Sequence, residues 1–234
     1  MASSNPDPQA LFTFKKGNVR IIVTHKGQRV VGKVSSHAMA LVSPVWENFI
    51  FDPRTTRSKQ PVASTNSNHE SLEDDHGAPA AEINFSEDDS EALLTLLRIA
   101  HLRFDDVPTA VGYEQLLNLA VLCNQYLCVN IVEPWLRLWL KDEGAQSTLV
   151  GQENWLFIAW TFGRDPVFEH LAKKMIKEGR TEEDGRLLNS AGNEIPEPMP
   201  PGIVGELSLL GVSLDTRIDA NILLCARKHP ETSQ

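Results

Sequence analysis

The 234-residue chain is long enough for one sizeable core or two small ones, since domains commonly run to ~100–200 residues. Its 41% hydrophobic and 23% charged residues are those of a globular protein, and 22 Lys and Arg against 31 Asp and Glu leave a formal charge of −9. That balance repels phosphate backbones and anionic lipid head groups, so neither nucleic acid nor a membrane is an expected partner.

The first residues carry neither the basic start nor the apolar run of a signal peptide, and no stretch approaches the ~18 apolar residues of a membrane span. The chain is therefore expected in the cytoplasm or the nucleus. Leu11, Phe12 and Phe14 then form an apolar cluster too short for a domain of its own.

Residues 19–23 and 29–34 are β-branched runs separated by His25-Lys26-Gly27-Gln28, in which Gly27 suits a tight turn; this predicts a β-hairpin. Ser36 is expected to cap a short helix over 37–42. Ser43-Pro44 starts another, with Ser43 accepting backbone N–H groups and Pro44 at the first helical position. Val45, Trp46, Phe49 and Ile50 give it an apolar face.

From residue 52 to about residue 81 the chain turns polar, rich in Ser, Asn and Pro, and cannot bury enough surface to offset its ordering entropy. A mobile, disordered insertion over about 54–80 is expected. Order resumes with a strand at 82–85, and Ser86-Glu87-Asp88-Asp89 has the form of a capping box. The following helix places Leu93, Leu96, Leu97 and Ala100 on one face, and the next one Leu116, Ala120, Cys123 and Leu127.

Ile131, Trp135, Leu138 and Trp139 define a third amphipathic helix, which tolerates Pro134 within its first turn. Trp135 and Trp139 read as packing residues, because no acidic or polar anchor accompanies them as in a ligand cage. Beyond Gly144, Trp155, Ile158, Ala159 and Phe162 mark a helix that breaks at Gly163. Asp165-Pro166 restarts it as N-cap and first residue, with Val167, Phe168, Leu171, Met175 and Ile176 facing inward as far as Gly179. Residues 180–201 are polar and proline-rich, with a small hairpin of 187–188 and 194–195 around Gly192-Asn193. A last helix is marked by Leu214, Ile218, Ile222 and Cys225.

The three cysteines, Cys123, Cys128 and Cys225, are an odd, sparse set that reads as buried thiols. Five residues along a helix turn a side chain by about 500°, which leaves Cys123 and Cys128 roughly 140° apart and disfavours a shared metal. Phosphate-cradling glycine loops, a nucleophile elbow and an H-E-x-x-H helix are all absent from the sequence. The seven histidines fall in turns, at helix ends or within 54–80. No enzyme, cofactor or metal site is expected.

The succession of hairpin, two short helices, strand and three longer helices resembles the BTB/POZ fold. Residues 34–46 resemble that family's pattern of strand end, short helix with an apolar anchor, then Ser-Pro-x-aromatic; Met39 stands at the anchor, Ser43 and Pro44 at the dipeptide and Trp46 at the aromatic. Residues 116–126, ending in Tyr126, resemble its "Leu-x-x-Ala, then Tyr" helix. Trp135 and Trp139, one turn apart, and Ile158-Ala159-Trp160-Thr161-Phe162-Gly163 are similar to a fungal subgroup. Many members lack so long an insertion, and the hydrophobic-x-Glu contact of cullin-binding members is not located here.

The resemblance, over about 17–178, implies an α+β chain. An N-terminal segment (1–16) leads into a BTB/POZ-like domain (17–142), followed by an all-helical C-terminal extension (143–229). It implies a self-associating protein–protein interaction module with protein partners, in one form a homodimeric substrate adaptor in a cullin ubiquitin ligase complex, in another a transcriptional scaffold without a ligase. In dimeric members an N-terminal segment crosses to the partner, which makes Leu11, Phe12 and Phe14 the candidate interface.

Overall fold

The computed structural model describes residues 7–51, 82–178, 180–181, 187–189 and 191–203. The expected insertion at 54–80 and the last helix around Leu214–Cys225 lie outside the described residues. The chain is a mixed α+β protein. Among the described residues no helix is long and apolar enough to cross a membrane.

Two compact units divide the chain, differently from the 17–142 and 143–229 of the sequence reading: one is Met1–Val107 with Tyr126–Ile131, the other Pro108–Gln125 with Val132–Gln234. In the first, α1 (Pro8–Leu11) precedes β1 (Val19–His25) and β2 (Gln28–Val34). The two strands pair antiparallel from Val19↔Val34 to His25↔Gln28. Lys26 and Gly27, at φ 50° and 75°, form the two-residue turn, whose left-handed residues match the strand twist. After α2 (Ser36–Val42) and α3 (Pro44–Phe51), β3 (Glu82–Phe85) joins the other side of β1 in parallel, giving the order β2-β1-β3.

One face of this sheet carries Val19, Ile21, Val23, Val30, Val34, Ile83 and Phe85, all buried, and each such side chain contributes about 1.5–3 kcal/mol of apolar burial. Helix α4 (Ser90–Ala100) is buried well beyond the single stripe expected: Ala92, Leu94, Thr95 and Ile99 join Leu93, Leu96, Leu97 and Ala100. A helix that is apolar nearly all round belongs to a core. Its cap is Asp89, whose carboxylate accepts the Ala92 N–H at 2.8 Å, in place of the expected Ser86; the Ser86 N–H instead donates to Asn84 Oδ1. Likewise Ser35, and not Ser36, caps α2 by accepting from the Ala38 N–H. Ser36 is taken up by Asn18, whose amide donates to its hydroxyl and accepts its N–H.

The second unit contains α5 (Tyr113–Gln125), α6 (Glu133–Trp139), α7 (Glu143–Gln146), α8 (Trp155–Thr161) and α9 (Asp165–Glu178). Helix α8 is buried at every position from Trp155 to Ala159, and Gly163, at φ 63°, ends it. The carbonyl of Arg164 accepts the Phe168 N–H, so Arg164 takes the cap position that the sequence assigns to Asp165, and Pro166 stands second in α9. Phe168 and Leu171 are buried, with Val167, Met175 and Ile176 half-buried.

The C-terminal region is not all helical. β4 (Arg180–Thr181) pairs antiparallel with β5 (Leu187–Leu188), and Leu188 bridges to Glu194 around the turn at Gly192, φ 80°, as the Gly192-Asn193 pair suggested.

Candidate protein-interaction surface

Met39 and Trp46 are both fully buried in the first unit, on the inner sides of α2 and α3. Ser43, between them, bonds twice through its hydroxyl: it accepts the Trp46 N–H at 3.0 Å and donates to the Tyr126 carbonyl at 2.6 Å. Pro44 lacks an N–H and so costs the first turn nothing. The Trp46 ring lies 5.3 Å from that of Tyr126 and 6.2 Å from that of Phe85, both inclined, while the Tyr126 hydroxyl donates to Asp88 at 2.5 Å. Five residues scattered from 43 to 126, Ser43, Trp46, Phe85, Asp88 and Tyr126, thus form one knot around the Trp46 and Tyr126 rings. The Trp46 indole N–H has no hydrogen-bond partner among the described residues.

The same two helices leave apolar groups in water. Leu41 is 87% exposed. Phe49, expected on the inner face of α3, is exposed, as is Phe51, whose ring stands 6.5 Å from that of His37. Leu127, expected on the inner face of α5, is also exposed: the helix stops at Gln125, and Leu127 takes a left-handed φ of 51° that turns Tyr126 and Cys128 inward instead.

The N-terminal cluster is not such a surface. Phe12 and Phe14 are buried on their own chain, and Leu11 is half-buried. The Phe14 N–H donates to the Lys33 carbonyl at 2.8 Å, and the Lys33 N–H to Phe12 at 3.0 Å, so the segment runs along the outer edge of β2. Gly32 makes this approach possible: a Cβ there would stand 2.3 Å from the Phe12 carbonyl oxygen. Phe12 meets His25 edge-on, and Phe14 stacks on His101 at 4.2 Å, with the Arg103 guanidinium carbon 5.9 Å from the Phe14 ring centroid. This packing is not legible along the chain, because nothing local to residues 11–14 encodes a contact with Gly32.

His101 is held on both nitrogens. Nδ1–H donates to the Leu97 carbonyl at 2.8 Å and Nε2 accepts the Ser35 N–H at 2.9 Å, which fixes the neutral tautomer. Burial, outweighing the Leu97 hydrogen bond, holds its pKa below 6.5.

In the second unit, Trp135 and Trp139 stack at 6.5 Å, and Trp139 is buried with its indole N–H on the Pro108 carbonyl at 2.8 Å. Trp139 is thus a packing residue. Tyr113, Trp139 and Trp155 line an open cleft together with Lys141, Asp142 and Glu143 at its rim. Lys141 stands 3.9 Å from Asp142 and Arg164 pairs with Glu143, so the charges at the rim are balanced within the chain. Burial, and next the charge of Glu153, raise the pKa of Tyr113.

No family model matches the chain, and no curated protein matches it.

Proposed function

We propose that the chain is a protein-interaction module of the BTB/POZ kind, working by docking other proteins and not by catalysis. The observation that carries this reading is the exposure of three large apolar side chains on α2 and α3, Leu41, Phe49 and Phe51, while Met39 and Trp46 anchor the same helices from inside. Burying such groups between two surfaces is the main source of binding free energy for complexes of this type. The order of hairpin, paired short helices, strand and core helix, together with the Ser43–Trp46–Tyr126 knot, supports the BTB/POZ assignment at its signature positions.

On this reading the module self-associates, as a homodimer or a larger assembly, and serves as an adaptor whose scaffold is a cullin; a transcriptional scaffold without a ligase is the second form. Light scattering coupled to size exclusion tests the self-association, with an assembly expected for the native chain and monomer for Leu41→Asp combined with Phe51→Asp. A native chain that stays monomeric at micromolar concentration would remove it. Purification of the tagged chain from its own cells separates the two forms by whether a cullin or a chromatin factor is recovered, and recovery of neither would refute both.

A further inference from the structure

Burial alternates along all three strands of the first unit's sheet, so one face is core and the other is turned outward. On the outward face Arg20, Ile22 and Thr24 of β1 stand beside Lys33, Val31 and Arg29 of β2, in that register. The middle pair, Ile22 and Val31, is aliphatic and half-buried, where a face turned to water ordinarily carries polar side chains. Its flanks are cationic. Arg20 and Lys33 are directly opposite each other, and like charges in that position are destabilising. Glu82 meets Arg20 at 3.5 Å, whereas Arg29 and Lys33 meet no carboxylate among the described residues. Lys15 and Lys16, both exposed, adjoin this edge of β2, since a Cβ on Gly17 would stand 2.8 Å from the Lys33 carbonyl carbon. A chain with a formal charge of −9 thus gathers cations around one aliphatic pair.

We infer that this outward sheet face docks an extended acidic segment of another protein, in which carboxylates flank an apolar side chain. The spacing selects that pattern. Lys33, Val31 and Arg29 are two residues apart along β2, so cation, aliphatic group and cation follow one another over about 14 Å at ~3.4 Å per residue. An extended segment has the same period, and its residues i, i+2 and i+4 face one way. The pattern Glu-x-Leu-x-Glu therefore sets a carboxylate on each cation and an apolar group on Val31 and Ile22.

A nucleic acid or an anionic membrane fits this face less well. The net charge of the chain repels both, and a phosphate leaves the aliphatic pair uncovered. The like-charge pair points the same way: Lys33 opposite Arg20 costs the sheet stability that an anionic partner restores. The face belongs to the strands and is distinct from Leu41, Phe49 and Phe51 on α2 and α3, so it rests on neither self-association nor a cullin.

Fluorescence anisotropy of a labelled peptide containing Glu-Ser-Leu-Ser-Glu tests the inference on the native, full-length chain. A shuffled peptide of the same composition and a labelled DNA duplex are measured in parallel, and phosphatidylserine vesicles by co-sedimentation. The patterned peptide is expected to bind saturably and more tightly than the other three probes, and to weaken as salt rises. Arg29→Glu combined with Lys33→Glu should weaken it about tenfold, because two attractions become repulsions. Leu41→Asp, on α2, should leave binding unchanged. Lys33→Glu alone separates docking from folding, since it sets a carboxylate opposite Arg20: its urea midpoint should rise while its peptide binding falls. The inference is overturned if the patterned peptide does not bind, or binds no better than the shuffled one. Tighter binding of the duplex or the vesicles would assign the face to phosphate groups and overturn it as well. So would a Lys33→Glu variant that loses stability and binding together, or a Leu41→Asp variant that binds as weakly as the double charge reversal.

Discussion

The imidazole of His101 joins the end of α4 to the start of α2, because its Nε2 accepts the Ser35 N–H while its Nδ1–H is held by Leu97. Only the neutral ring can do this, since a protonated histidine has two donors and no acceptor.

Acid should therefore weaken the fold through this residue. Burial lowers the pKa of His101 in the folded chain, so on acidification the unfolded chain takes up the proton first, at about pH 6.5. The contribution is complete above that pH and is lost as pH falls below it toward the folded value. Urea midpoints at pH 7.5 and pH 5.5 should show a drop for the native chain that is smaller in His101→Gln. An equal drop in both would assign the acid sensitivity to other groups.

Ser43→Ala is expected to destabilise by about 1–3 kcal/mol, because it leaves the Tyr126 carbonyl and the Trp46 N–H without their shared partner in a buried place. Replacement by threonine should recover part of the loss. Denaturant unfolding of the three proteins checks the order.

For Trp46, truncation to alanine should cost about 3–5 kcal/mol as the emptied site collapses only in part. Trp46→Phe should cost distinctly less, because it keeps the aromatic contacts with Phe85 and Tyr126 and removes an indole N–H that bonds to nothing described. Equal costs for the two variants would show that the indole itself is required.

Gly32→Ala should detach the N-terminal segment, since the added methyl meets the Phe12 backbone. Hydrogen exchange at the Phe14 and Lys33 amides, slow in the native chain, is expected to quicken while the Ile21 and Val23 amides within the sheet stay protected. Unaltered exchange at Phe14 would mean that the strap moves aside without opening.

On the exposed face, Leu41→Asp is expected to change stability by no more than about 0.5 kcal/mol, as for surface positions generally. Thermal unfolding of that variant, alongside the oligomeric state, separates a docking residue from a core residue. A loss of several degrees would place Leu41 in the packing.

What the sequence by itself determined is local. Alternation over 19–34 with Lys26-Gly27 between the runs sets the hairpin and its register, because a period of two leaves only one buried face. Ser43-Pro44 starts α3, and Gly163 ends α8, since capping and left-handed φ depend on near neighbours. What only the tertiary structure decided involves residues far apart in the chain. Phe12 and Phe14 pass from candidate interface to core through a glycine eighteen to twenty residues away. Ser36 leaves the cap of α2 to Ser35 because Asn18, eighteen residues before it, binds both its hydroxyl and its N–H. Leu127 and Phe49 fit an apolar helical pattern yet face water, since periodicity states which residues share a face but not where a helix ends or what covers it. His101 becomes an acceptor only once β2 and α4 bring Ser35 within 2.9 Å, a distance that no spacing along the chain encodes.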